Sequence, residues 1–354
     1  MSTLTTERPT TPVQQASRPL ARWVPVALLV AALVVALLLR AVLGGGPIAT
    51  ATMAAVVYVV LTYVVSRARE GSRRAVDRTV TAAVTIAFLL ALLPLTSLLW
   101  TVTTRGAARF DVDFFALTMR NIVGEGGGAR HAIIGTLQIT GLATLISVPI
   151  GLLTAIYLVE YGRGRLARAV TFLVDVMTGI PSIVAGLFAY ALFALLYGPG
   201  VRFGLGGAVA LAVLMTPVVV RASEEMLKLV PAELREASYA LGVPKWRTIL
   251  KVVLPVAAAG IATGTTLAIA RVIGETAPLL LIAGYTSSLN LDPNSGRMAT
   301  LPVYAFYSFT QPGVPPQAGI DRAWTAALVL ILIVLVLNLV ARLISRFFAP
   351  KGAR

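Results

Sequence analysis

Residues 235–255 read REASYALGVPKWRTILKVVLP, a stretch dense in charge that sits between two runs, 206–221 and 253–284, apolar enough for lipid. Charge at the bilayer centre costs about 2.5–3.5 kcal/mol per residue on insertion scales, so a polar helix-former placed there has left the membrane and returns to it. The local turn signals agree. Upstream, RASEEMLKLVPAELREASYAL (221–241) carries Leu, Met and Ala at helical spacing with Glu and Lys between them. Pro231 starts a second short helix, since Pro is tolerated in a first turn, and Glu233 suits its positive end. That helix runs to Leu241, Gly242 ends it as a left-handed cap would, and Pro244 opens the next helix, KWRTILKVV. Leu254-Pro255 marks re-entry into the membrane. The product is a helix–turn–helix bracket with Glu236, Ala237 and Gly242 near its tip. Composition by itself leaves the plainer reading open, an ordinary polar loop.

Outward from the bracket, the chain is what a polytopic helical membrane protein requires: 57% of its 354 residues are hydrophobic and 13% charged, too little charge to clothe a soluble surface of this size. The net charge of +15 gathers at the ends of apolar runs, without aromatic interleaving, which argues against nucleic acid as a partner. The chain has no Cys, so disulfides and thiolate metal sites are excluded. His131 is the single His; it falls in a loop and reads as a surface residue, leaving no basis for a metal centre or a Ser-His-Asp triad.

Residues 1–23, rich in Ser, Thr, Pro and Gln, read as a disordered tail. Eight apolar runs follow, near 24–43, 48–66, 80–101, 133–159, 170–197, 206–221, 253–284 and 323–345; 206–221 is the shortest for about 30 Å of hydrocarbon. The first is too long for a signal-peptide core and has no clear cleavage site, so it is a retained span. With the N-terminus inside, the tails and the segments 66–79, 160–169 and 221–252 hold 21 of the 30 Lys and Arg, against eight outside and Arg271 within a span. The positive-inside rule therefore puts both termini, including the basic tail 349–354, in the cytoplasm. The outer loops are 102–132 and 285–322. GEGGGAR (124–130) lacks the Lys-Ser/Thr ending and preceding strand of a phosphate loop and reads as a flexible loop. LDPNSG and TQPGVPPQAG mark turns in the second.

The spacing within the bracket carries a resemblance. Glu236-Ala237-Ser238, three residues, Gly242, nine residues, Val252, one residue, and Leu254-Pro255 resembles the EAA motif of ABC-importer permeases, with Ser238 for the second Ala and Val252 for Ile. The resemblance implies an all-α fold of the type I (MetI-like) importer permeases, a six-helix core over 74–348 with the coupling loop at 221–255. Two extra N-terminal spans and a basic linker (24–73) precede that core. It also implies that Glu236, Ala237, Ser238, Gly242, Leu254 and Pro255 form the segment that docks on a separate ATPase. No Gly-x-x-x-x-Gly-Lys-Ser/Thr occurs here, so ATP and Mg would be bound by that partner, and this chain would be neither an enzyme nor a holder of cofactors.

For the substrate, Arg271 and Glu275 stand four apart on one helical face near the middle of the span 253–284, either as a structural ion pair or facing a path. A cation within the membrane suits an anionic substrate, and a carboxylate beside it can accept from a proton-bearing hydroxyl. GETAPLLL (274–281), DVMTGIPSIVAGLFAY (175–190) and PVVVRASEEMLKLVPAELREASYALGVPKW (217–246) look like the PstA-type permeases of phosphate-specific ABC importers; Ala277-Pro278 favours that type over the paired PstC type. That resemblance spans about 74–348. It implies phosphate as substrate, Arg221, Arg271 and Glu275 on its path, and three partners: a PstC-like permease, a PstB-like ATPase dimer and an extracytoplasmic PstS-like phosphate-binding protein, in a bacterial inner membrane. A permease for sulfate, molybdate or phosphonate, the PstC type itself, and a secondary anion transporter are the alternatives. Gly260-x-x-x-Gly264 suggests a close-packing face toward the partner permease. Pro181 and Pro278 would kink or unwind their spans.

Overall fold

A computed structural model describes residues 20, 21, 23–44 and 46–348. The expected tails, 1–23 apart from residues 20, 21 and 23, and 349–354, lie outside the described residues. Those residues form two compact units that meet in sequence at Leu99 and Trp100.

The first unit holds α1 (Val24–Leu43), α2 (Pro47–Glu70) and most of α3 (Ser72–Gly106). Ala32 and Ala36 of α1 and Ala54 of α2 are buried, as small residues are where apolar helices approach without help from water. The basic stretch 66–79, expected to link two spans, is helical on both sides of Gly71, whose φ of +88° only Gly adopts freely. Glu70 holds this corner: its buried carboxylate accepts from Arg78 Nε (2.6 Å), Ser66 Oγ (2.8 Å) and the Leu20 amide (2.7 Å).

The second unit continues through α4 (Val112–Ala116), α5 (Arg130–Ile156), α6 (Gly164–Thr178), α7 (Ser182–Tyr197) and α8 (Gly204–Lys228). It is completed by α9 (Ala232–Ala240), α10 (Lys245–Thr248), α11 (Leu254–Val272), α12 (Ala277–Ile282), α13 (Leu301–Thr310) and α14 (Pro316–Phe348). Helix α8, the shortest run in the sequence, is the hub. Ile139 and Ala143 of α5, Ala208, Leu211, Met215 and Val219 of α8 and Ala268 and Val272 of α11 share one buried cluster with Leu279 of α12.

Seven of the described helices are long and apolar enough to cross a membrane, and α6 with α7 makes an eighth crossing only as a broken pair. The expected straight span 170–197 is thus corrected: the two helices meet at 110° across Gly179-Ile180-Pro181. Pro181 has no amide hydrogen to continue the ladder and drives the residue before it out of helical conformation.

Three other expectations change. Gly260 and Gly264 do pack closely, but within the chain: a Cβ on Gly264 would stand 2.5 Å from Ala222 Cβ, and one on Gly260 2.3 Å from Met226 Sδ, both on α8. GEGGGAR is a clamped loop rather than a flexible one. Arg322 NH1 donates to the carbonyls of Gly124 (2.7 Å) and Gly126 (3.0 Å), and Arg109 NH2 donates to that of Gly127 (2.9 Å). His131 is 2% exposed, in the first turn of α5, edge-on to Tyr304 with centroids 5.5 Å apart. Its burial is set by α13, a helix that lies inside the segment expected to be an irregular outer loop.

Candidate functional site

The bracket forms as its turn residues dictate. Helix α8 runs on past 221 to Lys228, Pro231 precedes α9, and Gly242 takes φ +74°. The Gly242 amide bonds the Tyr239 carbonyl (2.9 Å) and the Val243 amide that of Ser238 (3.2 Å), closing the helix end. Beyond Pro244 the chain returns as α10, a π-helical turn (Ile249–Val253) and α11. The wide turn falls just before Pro255, which cannot donate to the carbonyl four residues back.

The two faces of α9 differ. Arg235 and Ser238, three apart, face the body of the protein. Arg235 meets Glu160 at 3.0 Å and donates to the carbonyls of Val230 (2.6 Å) and Leu227 (2.9 Å). Ser238 Oγ shares a buried 2.8 Å hydrogen bond with Thr248 Oγ1, which gives the Ser that replaces Ala in the motif a structural role. Lys245 donates to the Glu160 carbonyl and lies over the Tyr161 ring. Glu160 is therefore the post to which both arms of the bracket are tied. The opposite face is bare: Leu234, Glu236, Ala237 and Leu241 are exposed, as are Gly242 at the tip and Trp246 beyond it. Leu254 is half-buried and Pro255 exposed at the return. Motif spacing located Glu236, Ala237, Ser238 and Gly242 but not Glu160, Arg235 or Thr248. Glu160 is 75 residues from its partner in sequence, beyond the reach of any local signal.

Arg221 is not a free cation. Its guanidinium donates to Asp175 of α6 and, at 2.7 Å, to Glu224 one turn along α8; Glu224 also accepts from Lys228 at 2.7 Å. The sequence reading named Arg221 and missed both carboxylates.

Arg271 and Glu275 do not share a helical face, which corrects the expected four-residue spacing on one helix. Helix α11 ends at Val272, and Ile273–Thr276 form a break before α12. Pro278 is the cause: it has no amide hydrogen for the Gly274 carbonyl and its ring would collide with that oxygen in a continuous helix. Glu275 sits in the break, its amide bonded to the Val272 carbonyl at 3.1 Å. Among the described residues neither side chain has an ion-pair partner; Arg271 is exposed on the surface of this chain and Glu275 half-buried. Helix α12 is seated by close contact: a Cβ on Gly186 of α7 would stand 2.5 Å from Pro278 Cα.

Residues 147–353 match the family described as binding-protein-dependent transport system inner membrane component. The chain is 50% identical over 270 residues to phosphate transport system permease protein PstA 1 of Mycobacterium tuberculosis H37Rv, covering 75% of this chain and 86% of that protein. It is 48% identical to PstA of Mycobacterium leprae, over 71% of this chain and 83% of the relative, and 43% identical to PstA of Pasteurella multocida, over 72% and 88%. Two solved structures share the fold. In the inward-facing MetNI methionine ABC transporter the TM-score is 0.52 at 21% identity, over 62% of this chain and 96% of that one. In a bacterial alginate ABC transporter it is 0.55 at 17% identity, over 78% and 97%.

Proposed function

Because the chain belongs to the PstA permeases of phosphate transport systems, within the binding-protein-dependent components of the inner membrane, we propose a division of labour for its residues in ATP-driven phosphate import. It is a multi-pass permease subunit of a phosphate importer with the membrane fold of type I ABC importers. A second, PstC-like permease completes the path, and a PstS-like protein delivers phosphate at the outer face. A PstB-like ATPase dimer binds ATP and Mg at the cytoplasmic face, where both termini also lie. The two N-terminal helices precede the six-helix core 74–348 in sequence.

In this scheme the bare face of α9, with Glu236, Ala237, Gly242 and neighbouring Leu241, docks on the ATPase. Its small residues allow close approach, and its carboxylate meets basic groups of the partner. Ser238, Leu254 and Pro255 hold the bracket and its return in shape. Arg271 supplies the positive charge that an anion needs within the membrane. Glu275 accepts from a phosphate hydroxyl, which disfavours fully deprotonated oxyanions; the absence of an ion pair between it and Arg271 supports that role over one as a mere holder of Arg271. Arg221 serves the inner end of the path, where Asp175 and Glu224 hold it until an anion competes for it.

The observation that supports the path most directly is that Arg271, on the chain surface, and Glu275, in the break, each lack an ion-pair partner among the described residues. The test is uptake of radiolabelled phosphate by the assembled importer, with sulfate and molybdate as competitors. Arg271→Gln is expected to lower uptake roughly tenfold or more with the complex intact, on the scale of a lost charge-assisted hydrogen bond. Undiminished uptake by that variant would sink the assignment.

A further inference from the structure

The outer end of α12 leads to a second place where positive charge converges. Three segments meet at Gly284: the α7–α8 connection, the end of α12, and the loop before α13. Backbone hydrogen bonds lock them together, from the Phe203 amide to the Ile282 carbonyl (2.9 Å), Met298 to Ala283 (3.1 Å) and Leu205 to Pro293 (2.7 Å). On this platform Arg202 stands next to buried Phe203, and Arg297 next to buried Met298. Their stems run side by side over Gly284: a Cβ there would lie 3.1 Å from Arg202 Cδ and 3.4 Å from Arg297 Cδ. Gly284 has φ +73°, so both its backbone and its bare upper surface require Gly.

Among the described residues neither guanidinium has a hydrogen-bond or ion-pair partner. The nearby acid in the loop, Asp292, turns one carboxylate oxygen to the Asn294 amide (2.9 Å). Asn290 Nδ2 bridges the carbonyls of Ser295 (2.7 Å) and Arg297 (3.1 Å), which fixes the backbone that carries Arg297. Elsewhere in this unit the outer-side arginines Arg109 and Arg322 are used on loop carbonyls. Two like charges held together on a rigid platform repel one another until an anion lies between them, and planar guanidinium forks match an oxyanion in geometry as well as charge. The platform is only the length of α12, six residues or about 9 Å, beyond the break that carries Glu275.

We propose that Arg202 and Arg297 form an oxyanion-receiving pair at the outer mouth, which takes inorganic phosphate before it passes to Arg271. The inference rests on the reading of this chain as a phosphate permease and adds an entry subsite to it. The pair is pre-organised by its platform, so phosphate binding there orders little of the protein.

The test uses the complete importer in proteoliposomes, with the binding protein loaded with radiolabelled inorganic phosphate. Uptake and binding-protein-stimulated ATP hydrolysis are measured for Arg202→Gln with Arg297→Gln, and for Arg202→Lys with Arg297→Lys. The glutamine pair is expected to lower uptake roughly tenfold while ATP hydrolysis is still stimulated, with partial recovery in the lysine pair. Unchanged uptake overturns the proposal. So does a parallel fall of uptake and stimulation, which would make the arginines a docking contact for the binding protein. If the glutamine pair does not assemble, the single variant Arg297→Gln decides by the same two readouts. Absence of phosphate uptake by the unsubstituted importer overturns the phosphate reading and the pair with it, whereas normal wild-type uptake with an inert pair overturns the pair alone.

Discussion

The bracket 221–255 and the broken helix α11–α12 treat charge in opposite ways. Around the bracket, Arg235, Glu160, Lys245, Arg221, Glu224 and Asp175 are all tied to protein partners. At the break and beyond it, Arg271, Glu275, Arg202 and Arg297 have none among the described residues. A part that transmits force must keep its shape under load, so the groups that hold the bracket are used on the protein itself, and Glu236 is left bare on the opposite face. A part that meets a travelling anion must leave its charge available. The difference sorts one set of polar side chains into those tied to protein partners and those left without one; Arg221 is among the tied, so on the proposed path an anion would have to displace Asp175 and Glu224 to reach it.

The comparison breaks most readily at Glu160. Removing its charge leaves Arg235 buried beside a neutral group, a change that costs about 3–5 kcal/mol when a buried pair loses one member. Glu160→Gln should therefore lower the melting temperature of the detergent-purified permease and release the ATPase on co-purification; a stable variant that keeps its ATPase would dissolve the distinction. Gly242→Ala forces a side chain into a left-handed turn, for about 1–2 kcal/mol, and should weaken ATPase retention without touching the outer face. Ser238→Ala leaves Thr248 without its buried partner and should cost about 1 kcal/mol, read as a small fall in melting temperature. At the other region, Glu275→Gln should leave the melting temperature unmoved while uptake falls and selectivity among oxyanions relaxes. A stability loss there would place Glu275 with the structural set.

What the sequence made legible follows the range of the forces involved. The bracket was readable because Pro231, Gly242 and Pro244 act on their own backbone, and the EAA spacing placed its tip. The break at 273–276 was half readable: Pro278 announced a disturbance, but its effect falls on the carbonyl of Gly274, between the two residues expected on one helical face. Glu160 and Asp175 were invisible because their partners lie 75 and 46 residues away. His131 was misplaced because nothing local buries it; Tyr304, from a ten-residue helix hidden among turn-forming residues, does. The Gly260–Gly264 face was correctly expected to pack closely, yet its surface is Ala222 and Met226 of this same chain.

Helix α8 spans 25 residues, about 37 Å, from Gly204 on the outer platform to Lys228 at the root of the bracket. Its outer end is bonded to the loop that carries Arg297, through the Leu205 amide, and its inner end carries Arg221 and Lys228. A helix bonded at both ends ties the position of one to the position of the other, so the bracket and the loop that carries Arg297 share a single element. Pro217 lies inside this helix and removes one backbone hydrogen bond from it, which makes it a place where the helix can flex. Bending stiffness at that residue, set by a ring and one absent hydrogen, then governs how far a movement at one end of the helix is felt at the other.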